Sequence, residues 1–176
     1  VMYAWYLLLF IQSSLIRRGN PNLHKTLGYW SLVIAVGVIV TGWMVTAHGF
    51  RLSKNMLFFS GNILMLTFFT IFYTSAIIYR KNSSVHKRLI IFASISVYIP
   101  VAFRMAALFG DRKLAPLVYI AIILIIPIWE MVTARKISKT TICGAVGLII
   151  MVCLTFLLAN NSAFTESVRG AFNLVN

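Results

Sequence analysis

Acidic residues are what this chain has least of. Only 3 of its 176 residues are Asp or Glu, against 16 Lys plus Arg, for a formal net charge of +13. All charged residues together make up 11% of the sequence and hydrophobic residues 60%. A water-soluble domain carries about 25% charged residues, so a soluble globular fold is excluded. The basic excess does not describe a nucleic-acid surface, because apolar runs split the cations into short clusters and no single basic face results. Cysteine is equally sparse. Cys143 and Cys153 lie in one apolar run, roughly 15 Å apart along a helix, too far for a disulfide; they read as small buried apolar side chains. No linker, low-complexity tract, nucleotide-binding loop or nucleophile motif is present.

What is present is apolar length. Lipid offers the backbone no hydrogen-bond partner, so a crossing segment is a helix of about 20 apolar residues. Residues 27–47, 56–79, 89–110, 114–133 and 142–159 qualify. Residues 1–16 form a shorter run, read as the end of a helix that starts further upstream. The expectation is an all-α polytopic transmembrane bundle of about six helices over residues 1–160, followed by a short extracytoplasmic tail over 161–176. Trp5, Trp30, Trp43 and Trp129 fall near span ends, where an amphipathic ring suits the headgroup region. Pro100 and Pro127 interrupt spans, and Gly37, Gly42, Gly144 and Gly147 permit close helix approach.

The cations give the orientation. One set of alternate loops holds Arg17, Arg18, Lys25, Arg80, Lys81, Lys87, Arg88, Arg135, Lys136 and Lys139, ten in all. The other set holds Arg51, Lys54, Arg112, Lys113 and Arg169, which is five. The positive-inside rule places the first set in the cytoplasm of a bacterial inner membrane.

A short motif recurs at the start of two spans. Leu23-His24-Lys25-Thr26-Leu27 follows Asn20 and Asn22, and Val85-His86-Lys87-Arg88-Leu89 follows Asn82 to Ser84. The 62-residue spacing is two helices, so both motifs face one side of the membrane. Such an echo suggests two related helical hairpins. The helix macrodipole and the adjacent cations disfavour protonated imidazole there, leaving the neutral form that ligates haem iron or a divalent metal. The bland alternative is a pair of interfacial residues whose neighbours Lys25 and Lys87 reach for lipid phosphates.

Two intramembrane charges extend the candidate site. Glu130 lies about one turn from the cytoplasmic end of its span, where a carboxylate is costly unless paired. It either completes a His24–His86–Glu130 metal cluster or forms a structural bridge with Lys25, Lys87 or Arg135. Arg104 follows His86 by eighteen residues, five turns of a straight helix, so both project from one face. It either snorkels or holds an anion: a lipid phosphate, a haem propionate or a quinone-like head. Gln12, Asn62 and Ser94 are further polar residues within spans. His48 marks the opposite end of the second span, roughly 36 Å from His24, and serves at most a separate site.

The sequence resembles a family of uncharacterised bacterial inner-membrane proteins, a domain of unknown function. The resemblance rests on Ala4-Trp5, Gln12 and Leu15-Ile16, on His24-Lys25-Thr26-Leu27-Gly28, and on His86-Lys87-Arg88-Leu89 with Ala102-Phe103-Arg104. It covers roughly residues 4–135, with Lys where many relatives carry Arg after the histidine. It implies a polytopic fold and no established activity. A weaker similarity is to transmembrane b-type cytochromes, which pair histidines from alternate helices around haem b. Three function classes follow. The first is a non-catalytic subunit of a larger membrane complex, with other membrane proteins and the lipid bilayer as partners. The second is a haem- or metal-binding redox protein using His24 and His86. The third is a small-molecule or lipid carrier using Glu130 and Arg104. A metal-dependent hydrolase with Glu130 as general base is the remaining possibility.

Overall fold

The computed structural model describes residues 1–108, 110–111 and 114–172. The cations Arg112 and Lys113 and residues 173–176 lie outside the described residues. Among the described residues there are eight helices and no strand: α1 (Met2–Arg17), α2 (Pro21–Ser53), α3 (Met56–Ile78), α4 (Ser83–Ser96), α5 (Ile99–Leu108), α6 (Ala115–Ala134), α7 (Lys139–Ala159) and α8 (Ser162–Ala171). Four of them (α2, α3, α6 and α7) are long and apolar enough to cross a membrane, and the bent pair α4 and α5 makes a fifth if counted as one span. This fits a multi-pass membrane protein. The first helix, at 16 residues, is short of that length.

Local chemistry starts these helices where the sequence suggests. Asn20 caps α2 by accepting from Leu23 N, and Asn82 caps α4 by accepting from Val85 N. Ser138 caps α7 through Thr141 N. Such caps satisfy amide groups that no helical carbonyl reaches. Three of the four prolines, Pro21, Pro100 and Pro116, stand in the first turn of a helix, where a missing N–H costs nothing. Only Pro127 is interior, in α6.

The run expected as one span over 89–110 is broken. The α4 and α5 axes meet at 58°, and the chain between them turns at Val97 and Tyr98. Two hydroxyls from other helices accommodate the break: Tyr6 donates to Ser94 O at 3.0 Å and Tyr119 to Ile95 O at 3.1 Å. Trp5 adds a bond from its indole N–H to Ser94 Oγ at 3.2 Å. Trp5 is thereby a fully buried core residue, edge-on to Phe69 and Tyr73, and not an interfacial anchor. Trp30, Trp43 and Trp129 are exposed as expected.

The centre of the bundle is α3, packed against α2, α4 and α7. Phe69, Phe92, Leu148 and Met151 are its fully buried side chains. Two glycines serve close approach: a Cβ on Gly42 would lie 2.6 Å from Leu66, and one on Gly144 would enter the Phe92 ring. The outward face of α2, with Tyr29, Trp30, Val33, Val36, Val40 and Met44 exposed, is apolar at helical spacing, a face that suits lipid and not water. Cys143 and Cys153 are also exposed, on α7, contrary to the expectation of burial; both thiols are small and apolar enough for a lipid-facing surface. The tail is largely helical. In α8, Val168 packs with Phe164 and Phe172 against Phe50, Met56 and Phe59, while Glu166 and Arg169 face outward.

Candidate functional site

The two histidine motifs fold alike. In each, an Asn stands four residues before the histidine, its side chain caps the helix, and its carbonyl accepts the histidine's own N–H: His24 N to Asn20 O at 3.3 Å, His86 N to Asn82 O at 2.9 Å. Both imidazoles therefore leave the chain one turn into a capped helix. They line a single cavity of about 630 Å³ bounded by α1, α2, α3 and α4. The expectation that both motifs face one side is met.

His86 is fixed in a definite tautomer. Its Nδ1 lies 2.7 Å from the Ala76 carbonyl, and since a carbonyl only accepts, Nδ1 carries the proton in the neutral ring. Nε2 is left with its lone pair. His24 interacts with the backbone carbonyl of Gln12 on α1, and its Nδ1 is buried with no hydrogen-bond partner among the described residues. The Gln12 amide nitrogen is likewise buried and unpartnered among them. Such atoms carry a penalty of about 1–3 kcal/mol each; both are sealed from solvent, so neither nitrogen presents surface to the cavity.

The rest of the wall divides by character. Trp5, Leu8, Leu9, Leu32, Ile77 and Ile90 supply apolar surface, Lys25, Arg80 and Lys81 supply positive charge, and Ser31 and Tyr73 are bonded to each other at 2.7 Å. Lys87 does not line the cavity. Arg80, Lys81, Ser31 and Tyr73 were not singled out from the sequence. Arg80 and Lys81 had a readable signal, since they follow α3 immediately before the second motif. Tyr73 had none, because its rotation towards α2 is set by packing.

Glu130 does not join the histidines. Among the described residues no three His, Cys, Asp or Glu side chains gather as a metal site, so the His24–His86–Glu130 cluster is not formed. Glu130 instead accepts from Arg88 Nε at 2.5 Å and from Ser138 N at 2.9 Å. It is a bridge between α4, α6 and the start of α7, and its partner is Arg88 and not Lys25, Lys87 or Arg135. Arg88 also holds Ser84 through both its carbonyl and its hydroxyl. With the carboxylate committed to these bonds, a role for Glu130 as metal ligand or general base has no geometric support.

Arg104 is separated from His86 by the bend, so the two do not share a face of one straight helix. It lines a second cavity, of about 610 Å³, at the opposite end of the bundle. His48 lies near that end of α2. Asn62 donates to Phe58 O within its own helix and also lines the second cavity, while Ser94 serves the helix break.

No protein-family model, curated protein or solved structure matches this chain. The site's chemistry is the guide to function.

Proposed function

We propose that this chain is a haem-binding redox protein of the membrane, using His24 and His86 as the two iron ligands. The observation that carries this reading is one cavity faced by two imidazoles from alternate helices, with His86 oriented through Nδ1. A carbonyl holding the far nitrogen is how proteins orient a ligating histidine and raise its basicity. The number of donors favours haem over a bare ion. Structural zinc takes four protein ligands and catalytic zinc three, whereas haem iron needs no more from the protein than the two histidines would supply. The apolar wall with Trp5 suits the macrocycle, and Lys25, Arg80 and Lys81 suit its carboxylates.

When bound, haem would supply one-electron transfer, with a potential tuned by its protein surroundings. The chain's own residues would do the rest: His24 and His86 would hold the iron, the Ala76 carbonyl would keep His86 oriented with Nε2 towards it, Lys25, Arg80 and Lys81 would receive the carboxylates, and Trp5, Leu8 and Ile90 would limit water. An electron carrier exchanges electrons with a redox partner. Beside this stands the reading of the chain as an accessory subunit of a larger complex in a bacterial cytoplasmic membrane, with this cavity on the cytoplasmic side. It also agrees with the resemblance to the uncharacterised inner-membrane family and to b-type cytochromes.

The test is absorption of the full chain, expressed with haem supplied and purified in mild detergent. A Soret band at one haem per chain is expected, lost in His24→Ala and in His86→Ala and kept in Lys87→Ala. A folded but colourless protein, or a Soret band that persists in both histidine variants, would overturn the assignment.

A further inference from the structure

The second cavity lies where α5 swings away from the line of α4. It is bounded by α3, α5, α6 and α7, away from the histidines, and any ligand it takes is independent of haem at the first cavity. Arg104 stands on its wall, four residues before the last residue of α5, or about 6 Å along a helix axis. A cation placed in a spanning segment is costly unless paired or solvated, and this one borders an open space. Asn55 adds a polar group at the rim: its carbonyl oxygen caps α3, and its amide nitrogen is a donor. The rest of the wall is largely apolar: Phe58, Phe103 and Phe156, all partly exposed at the outer face, and Val152, with the Tyr119 hydroxyl already bonded to the Ile95 carbonyl.

A cation beside an apolar groove open to the outside selects an amphiphile. The planar guanidinium pairs with a phosphate through two parallel hydrogen bonds, and the apolar walls receive a chain too long for a soluble anion's site. We infer that this cavity binds an anionic glycerophospholipid from the leaflet opposite the histidines, its phosphate on Arg104 and Asn55 and part of an acyl chain between α3, α5 and α7.

Native mass spectrometry of the detergent-purified full chain tests this, with phosphatidylglycerol, phosphatidylcholine and inorganic phosphate as probes. Phosphatidylglycerol should be retained, phosphatidylcholine retained far less, and phosphate alone should neither bind nor displace the lipid. Arg104→Gln should weaken phosphatidylglycerol binding about fivefold to tenfold, and Arg104→Lys should restore part of it. Val152→Trp, which fills the apolar wall and leaves the cation in place, should weaken it as well; helix content by circular dichroism identifies the variants that remain folded. Equal retention of the two lipids, unchanged binding in folded Arg104→Gln, or displacement by phosphate alone would each overturn the inference.

Discussion

His86 is oriented by a carbonyl of α3, whereas Glu130 is held by an arginine and a backbone amide, and these two side chains define what single residues do here. The bond from His86 Nδ1 to Ala76 O comes from a neighbouring helix, so the free Nε2 is oriented by tertiary packing. Glu130 satisfies the demand that a carboxylate at this depth be paired. Removing one partner of such a pair strands the other; because this pair is only partly buried, Glu130→Gln and Arg88→Gln should each destabilise the protein by about 1–2 kcal/mol. The double variant should cost less than the sum of the two, because the same interaction is lost once. Thermal unfolding in detergent provides the check, and strictly additive losses would show that the pair contributes nothing. The same variant separates the bridge from a site, since Glu130→Gln should leave haem binding in place.

At the scale of elements, the break between α4 and α5 is the feature that shapes the molecule. It opens the second cavity and separates Arg104 from His86. The carbonyls near the turn are met by hydroxyls of α1 and α6, and Tyr119→Phe would leave the Ile95 carbonyl without that donor. A loss of about 1–3 kcal/mol is expected, read as a lower unfolding midpoint with helix content unchanged; an unaltered midpoint would show that the hydroxyl does not support the break. The sequence made the paired motifs legible because Asn-x-x-x-His-Lys occurs twice in one register, and cap chemistry is local. It did not reveal the angle of the bend, although Pro100 marks its place: this residue has no N–H for the Ser96 carbonyl and its ring crowds that carbonyl, so α4 stops, the chain turns at Val97 and Tyr98, and α5 restarts with Pro100 in its first turn. Nor did it reveal the burial of Trp5 or the choice of Arg88 by Glu130. Hydropathy gives the length of an apolar helix but not its rotation, and in α3 the apolar residues run around the whole circumference.

The whole molecule is a bundle with two unlike ends. The loops α1–α2, α3–α4 and α6–α7 meet at one end, as the cavity lining and the Arg88–Glu130–Ser138 bonds require. The helix α8 closes the other, where Arg51 stacks 5.7 Å from the Phe172 ring centroid. With ten cations assigned to the histidine end and five to the other, the positive-inside rule predicts the histidine end in the cytoplasm. A reporter active only outside the cytoplasm, inserted between Asn160 and Asn161, should be active, and one inserted between Lys81 and Asn82 should be silent; the reverse pattern would invert the molecule. The scarcity of acid has its explanation at this scale. With one carboxylate spent on Arg88, the lining of the histidine cavity holds no acidic side chain, only neutral donors, cations and apolar surface. The central proposal is that this cavity, assembled from four helices, places iron between His24 and His86. Electron paramagnetic resonance of the oxidised, haem-loaded full chain tests it most directly. A low-spin ferric signal is expected in the native protein, becoming high-spin or disappearing in His24→Ala and in His86→Ala, with free imidazole restoring the low-spin form wherever haem is retained. A high-spin signal in the native protein, or a low-spin signal unchanged in both variants, would contradict it.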